Sequence, residues 1–146
     1  MTRIEFKIVG KPPKKIRGKS SWTSDSQAEP IKELRKAAYL ASKSSKIELI
    51  KGSISIEIDI YLPNSFNNPS RPELFWGDLD NIISGICESF KRAPPNFPFF
   101  MEDSSEGESL FYYDDSQIDS IKAKKHVVSD NEPAYYTIAI EEFSLV

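Results

Sequence analysis

Ile4, Phe6 and Ile8 alternate with Arg3, Glu5 and Lys7, the two-residue period of a strand with one buried face, and Gly10 ends it. From near Gln27 or Pro30 to about Ser42 the period lengthens. Ile31, Leu34, Ala38 and Ala41 fall on one side of a helix, with Lys32, Glu33, Arg35 and Lys36 expected on its outer face. The cleanest alternation follows: Ile54, Ile56, Ile58, Ile60 and Leu62 share one face of a strand, and Ser53, Ser55, Glu57, Asp59 and Tyr61 share the other. Leu79, Ile82, Ile83, Ile86, Cys87 and Phe90 then make the i, i+3, i+4, i+7 stripe of a second helix. Between Ile118 and Val128, Ile121, Ala123 and Val127 alternate with Ser120, Lys122, Lys124 and His126. Tyr136, Ile138 and Ile140 mark a closing strand after an Asn131-Glu132-Pro133 turn. Strand, helix, strand, helix, short turn, strand, strand predicts an α+β domain of two layers, a mixed sheet of about four strands with two helices packed on it.

The connections carry much of the charge. Lys11-Pro12-Pro13-Lys14-Lys15 and Arg17-Gly18-Lys19-Ser20-Ser21-Trp22 read as a mobile loop, because proline blocks strand pairing and the charges need water. It is either a solvated loop or a DNA arm in which Lys11, Lys14, Lys15, Arg17 and Lys19 meet phosphates and Trp22 stacks on a base. The stretch from Lys91 to Ser109 is long enough to need a function, and Phe97, Phe99 and Phe100 favour partial packing or a dimer contact over disorder.

Composition narrows the classes. The chain of 146 residues reads as one domain, 1–146, long enough to bury a core without disulfides. Cys87, the only cysteine, falls on an apolar helix face, which fits a buried thiol in a reducing compartment. The first residues lack the apolar run of a signal peptide and no stretch approaches a membrane span, so a soluble, cytoplasmic protein is expected, with no membrane partner. A net charge of −3 at pH 7 argues against nucleic acid on its face, but the charge is uneven: the first part is basic and the acids concentrate later. His126 is the only histidine, which excludes paired-histidine schemes. Neither a phosphate-cradling glycine motif, nor zinc-type cysteine spacing, nor a nucleophile elbow is present.

Two acidic sites remain that packing does not require. Asp78 and Asp80 open the second helix. Residues two apart point about 200° apart around a helix, so they converge only if Asp78 takes the N-cap and Asp80 the first turn. Capping and favourable interaction with the helix dipole explain both acids equally well. The second site is Asp114-Asp115-Ser116-Gln117, where Asp114 and Gln117 make a capping box and Asp115 is left over. If Asp115 faces the Asp78 and Asp80 pair, three carboxylates share one volume, and a divalent cation relieves their repulsion at neutral pH. On the strand that follows, Lys122, Lys124 and His126 are either an exposed face or a grip on DNA phosphates.

Gly77-Asp78-Leu79-Asp80-Asn81 with its helix, the Asp114-Asp115-Ser116-Gln117-Ile118 turn and the basic strand after it resemble the RusA-type Holliday junction resolvases, the crossover junction endodeoxyribonucleases. The likeness is close over Gly77 to Phe90 and Tyr113 to Lys125 and looser in the strand order. It implies a RusA-like fold and a homodimeric endonuclease that needs Mg²⁺, with Mn²⁺ able to substitute, and cleaves four-way DNA junctions in recombination and repair. By the same resemblance Asp78, Asp80 and Asp115 are the catalytic metal ligands, with Asp114 behind them. Family members carry a lysine where this chain has Ser84 and an arginine where it has Gly77. Lys122 or Lys124 is expected to stand in for the lost helix cation. The departures keep two other readings open, a weakened relative that binds junctions or proteins, and a structural oligomer whose acids only cap helices.

Overall fold

A strand whose every second residue is isoleucine or leucine can bury one face completely, and Ile54, Ile56, Ile58, Ile60 and Leu62 are each at most 1 % exposed. The computed structural model, which describes residues 3–15, 25–45, 49–71, 74–91, 110–112 and 114–142, builds the molecule around that strand. In chain order the elements are β1 (Arg3–Val9), α1 (Ala28–Ser45), β2 (Ile54–Pro63), α2 (Leu79–Phe90), β3 (Ile118–Val128) and β4 (Tyr135–Glu142), with short 3₁₀ turns at Asp25–Gln27, Asn64–Asn67 and Asp115–Gln117. The expected α+β architecture is the observed one.

The sheet order is β1-β4-β2-β3. β4 runs antiparallel to both β1 and β2, while β2 and β3 are parallel. A parallel pair needs a crossover, and α2 is the helix in it, which ties the acidic helix to the β2–β3 edge of the sheet. Both helices cover the isoleucine face. Leu34 and Ala38 from α1 and Ile82, Ile86 and Phe90 from α2 pack with the β2 isoleucines and with Tyr136, Ile138 and Ile140 of β4. Cys87 is buried in this layer, and desolvation pushes its thiol up to about 12, so it is a core residue rather than a nucleophile. No helix among the described residues is long and apolar enough to cross a membrane.

Two expectations change. Arg35 is not on an outer face: it is fully buried, and its Nη1 donates to the carbonyls of Ser89 (2.7 Å) and Lys91 (2.9 Å). The last carbonyls of α2 lack helical partners, and a guanidinium there satisfies them and complements the dipole. Arg35 borders the Ile31–Leu34–Ala38 stripe, close enough to reach across. The first half of the basic loop is also not a mobile arm. Pro12 and Pro13 are buried, the Lys15 N–H donates to Asn81 O (2.9 Å), and the Trp76 indole donates to Pro12 O (2.7 Å). Glycine at 85 permits this docking, because a Cβ there would lie 2.5 Å from Lys14 N, Lys14 Cα and Pro13 O. Arg17, Lys19 and Trp22 lie outside the described residues, as do residues 92–109.

Candidate functional site at the mouth and flank of helix α2

Asp78 takes the N-cap of α2 with extended dihedrals, φ −83° and ψ 153°, but its carboxylate makes no capping hydrogen bond. Asp80 follows in the first turn and is exposed. Among the described residues neither carboxylate takes a hydrogen bond or ion pair, so side-chain capping does not account for Asp78, while Asp80 in the first turn complements the helix dipole. The contrast with Asp114 is direct. Asp114 does close its box: its N–H donates to Gln117 Oε1 (2.9 Å), and its carboxylate accepts from the Ser116 hydroxyl (2.8 Å), which holds it below the usual aspartate range.

Ammonium groups converge on the same mouth. Gly77, at φ +118°, turns the chain into the helix, and its carbonyl accepts from Lys125 Nζ at 3.3 Å. Lys14 lies alongside, its Nζ 3.7 Å from where a Gly77 Cβ would be and 4.3 Å from the centre of the Trp76 ring. Lys11 takes another position over Trp76, at 4.6 Å, and over Phe66 at 5.1 Å. Partial burial, then repulsion from Lys11, lowers the Lys14 pKa below the usual lysine value. Two unpaired carboxylates therefore stand beside clustered cations that ring contacts hold in place.

Asp115 stands farther along. It begins the 3₁₀ turn after Phe111, a buried residue at φ +68°, where non-glycine backbone rarely goes. Ring contacts with Phe6 (5.5 Å) and Phe90 (5.6 Å) and a hydrogen bond from Ile50 N to Phe111 O hold that conformation. Gln117 fixes the turn from the other side, its Nε2 donating to Ile50 O (2.7 Å) and Gly52 O (2.9 Å). The Asp115 carboxylate is paired: Lys91 Nζ lies 2.9 Å from Oδ2, and the Tyr112 hydroxyl is 3.5 Å from Oδ1. The Asp115 bond raises the Lys91 pKa, so Lys91 is a cation at neutral pH. This pair lines a cleft of about 460 Å³ between the α2 flank (Ser84, Cys87, Glu88) and the start of β3, with Lys15 on its wall.

The four sequence-selected acids are thus distributed rather than assembled. Asp78 and Asp80 sit at the N-terminal mouth of α2, whereas Asp115 is held by Lys91 in the cleft beside Ser84 and Cys87, about one to two turns beyond Asp80. Among the described residues no three His, Cys, Asp or Glu groups are close enough to hold one metal ion. The donor chemistry still suits a hard divalent cation. All donors are carboxylate oxygens, two are unpaired, and the third already holds a cation in the form of the Lys91 ammonium. Mg²⁺ is usually held by one or two carboxylates together with waters and substrate phosphates, and Asp78 and Asp80 are the unpaired carboxylates among the described residues at this mouth. Lys91 engages Asp115 at Oδ2, and Oδ1 has the Tyr112 hydroxyl at 3.5 Å.

The β3 lysines need a correction. Lys122 aligns with Glu57, Lys124 with Asp59 and His126 with Tyr61, all on the sheet face opposite α1 and α2, so neither lysine can stand in for a cation on α2. That face satisfies itself in part: His126 Nε2 meets Asp59 Oδ1 at 2.8 Å, Glu57 is 3.7 Å from Arg3, and the rings of His126, Tyr61 and Tyr135 stack in a row. The cation on the acidic side is Lys125, aligned with Ile60. Counting charges along the strand hides it; its signal is parity with Ile121 and Ala123. Lys91 is also missed, because it lies beyond the helix stripe and its partner Asp115 is distant in sequence. A scan of the chain against protein-family models gives no match, and a search of curated proteins gives none either.

Proposed function

We propose that the chain is a divalent-metal-dependent endonuclease that cleaves DNA phosphodiesters, four-way junctions by preference, working as a homodimer in cytoplasmic recombination and repair. One observation carries the reading: the unpaired Asp78 and Asp80 carboxylates share the mouth of α2 with the Lys14 and Lys125 ammonium groups. The dipole of a helix start welcomes the acids but not lysines beside them. A phosphodiester site needs both, acids for a metal and cations for the flanking phosphates.

Asp78 and Asp80 would hold the ion, and Mg²⁺ when bound supplies Lewis-acid polarisation of the phosphate and a more acidic water. Lys125 and Lys14 neutralise charge that grows on the phosphate oxygens in the transition state. Lys11, held over Trp76, and Lys15, tied to Asn81, extend the cationic surface for the strand beyond. Asp114 keeps the turn that carries Asp115 in shape.

A second reading, a junction-binding or protein-interaction domain that cuts poorly, is favoured by Ser84, by Gly77 and by the pairing of Asp115 with Lys91. Calorimetric titration with Mg²⁺ or Mn²⁺ separates the readings together with junction cleavage. Asp80→Asn abolishes most metal binding and cleavage while the domain stays folded. Equal metal affinity in wild type and Asp80→Asn would remove the mouth from the reading; metal and junction binding without cleavage would leave the weaker domain.

A further inference from the structure

β3 is the last strand on its side of the sheet, and among the described residues no strand pairs with its outer edge. We propose that this edge takes up an extended segment of a partner protein as a fifth strand, one in which apolar residues alternate with acidic ones. The inference goes beyond the reading of the α2 mouth and does not depend on it.

A long, regular edge presents a row of backbone N–H and C=O groups, and native proteins usually blunt it with proline, a bulge or charge. β3 has 11 residues and no proline, and its register shift lies before Ser120, so residues 120–128 run evenly beside 55–63. Charge alone guards that stretch, and it is of one sign. Lys122 and Lys124 are exposed, and their ammonium groups make no ion pair or hydrogen bond among the described residues. The acids aligned with them on β2 are drawn elsewhere, Glu57 to Arg3 at 3.7 Å and Asp59 to His126 at 2.8 Å. Antiparallel pairing of two copies of this edge, centred anywhere from residue 122 to 124, sets lysine against lysine and is disfavoured. An acidic strand meets attraction at the same positions.

Clefts flank the edge on both faces of the sheet, and Ile121, 43 % exposed, lines each of them. On the helix side the cleft of about 460 Å³ adds Ile83, Cys87 and Ile118. Its charges balance, Lys15 and Lys91 against Glu88 and Asp115, so it suits an uncharged apolar side chain rather than an ion. On the opposite face a cleft of about 500 Å³ sets Lys122 and Lys124 beside the already engaged Glu57 and Asp59. Successive side chains of a strand point to opposite faces, so a segment laid along β3 feeds both clefts in alternation. β2 shows the pattern that β3 accepts on its inner edge: Ile56 and Ile58 align with Ile121 and Ala123, and Glu57 and Asp59 with Lys122 and Lys124. In such strand addition the backbone hydrogen bonds supply affinity and the alternate side chains supply selectivity.

The test uses the full chain and a fluorescein-labelled peptide that alternates valine with glutamate. Anisotropy shows it binding, and amide hydrogen exchange slows along β3. A peptide with lysine in place of glutamate binds more weakly, by about two- to fivefold for each cross-strand pair lost. Lys122→Glu combined with Lys124→Glu reverses the preference, and the neutral combination Lys122→Gln with Lys124→Gln, which serves if the acidic one unfolds, erases it. Absence of binding by the glutamate peptide, binding without slower exchange in β3, or an unaltered preference in the folded variants overturns the proposal. An oligothymidylate that binds through Lys122 and Lys124 where the peptide does not would give the edge to nucleic acid and overturn it as well.

Discussion

The hydroxyl of Tyr136 is buried in the centre of the helix-side sheet face and has no hydrogen-bond partner among the described residues. Burial, then the field of Glu33, raises its pKa far above the usual tyrosine value, so the group is a neutral, unsatisfied donor. Such a donor costs about 1–3 kcal/mol. Tyr136→Phe removes the cost and keeps the ring, so the denaturant midpoint should rise with an unchanged slope; a fall would reveal a bond to the hydroxyl. Arg35 is a buried charge whose Nη1 serves two helix-end carbonyls, each charge-assisted bond contributing about 1.5–3 kcal/mol. Arg35 reads as surface and Tyr136 as core from composition, yet both are buried.

At the scale of elements, the close approach that shapes the site is the crossing of residues 11–15 over α2. Alanine has the better helix propensity by about 0.8–1 kcal/mol, so a helix read alone would welcome Gly85→Ala. The crossing reverses the sign. The new Cβ would meet backbone atoms of Pro13 and Lys14 at 2.5 Å, and backbone cannot swing aside as a side-chain tip can. Gly85→Ala should lower stability by about 1–3 kcal/mol net and loosen the Lys14 and Lys15 cations, and under the proposed function it should weaken DNA binding as well. Thermal unfolding and anisotropy check the two effects, and an unperturbed melting temperature would show that the crossing yields. The β3 strand teaches the same point: Lys124 and Lys125 are neighbours in sequence, but a period of two sends one to the face opposite the helices and the other to the mouth of α2.

For the whole molecule, the proposed activity requires symmetry. Resolving a four-way junction needs two nicks on symmetry-related strands, and one site per chain supplies both only in a two-fold dimer. The protein should therefore scatter light as a dimer and cut a junction faster than a linear duplex of the same sequence at fixed salt. Lysines 11, 14, 15 and 125 would bind phosphates by counterion release, so affinity should fall steeply with salt while the dimer persists. A monomer, or equal cutting of both substrates, would leave a less specific nuclease as the better account.

Sequence alone determined what depends on period. The isoleucine alternation of β2 and the stripe of α2 can each be buried in only one way, so strands, helices and the two-layer α+β class follow from them. The capping box at Asp114 was equally legible, because its partners are three residues apart. Tertiary structure decided what depends on contacts between distant segments. It docked the proline-flanked lysines on Gly85, buried Arg35 against the end of α2, turned Lys122 and Lys124 away from the acids, and tied Asp115 to Lys91. Local periodicity carries no information about which carboxylate meets which ammonium across the fold, and the chemistry proposed for this chain turns on those meetings.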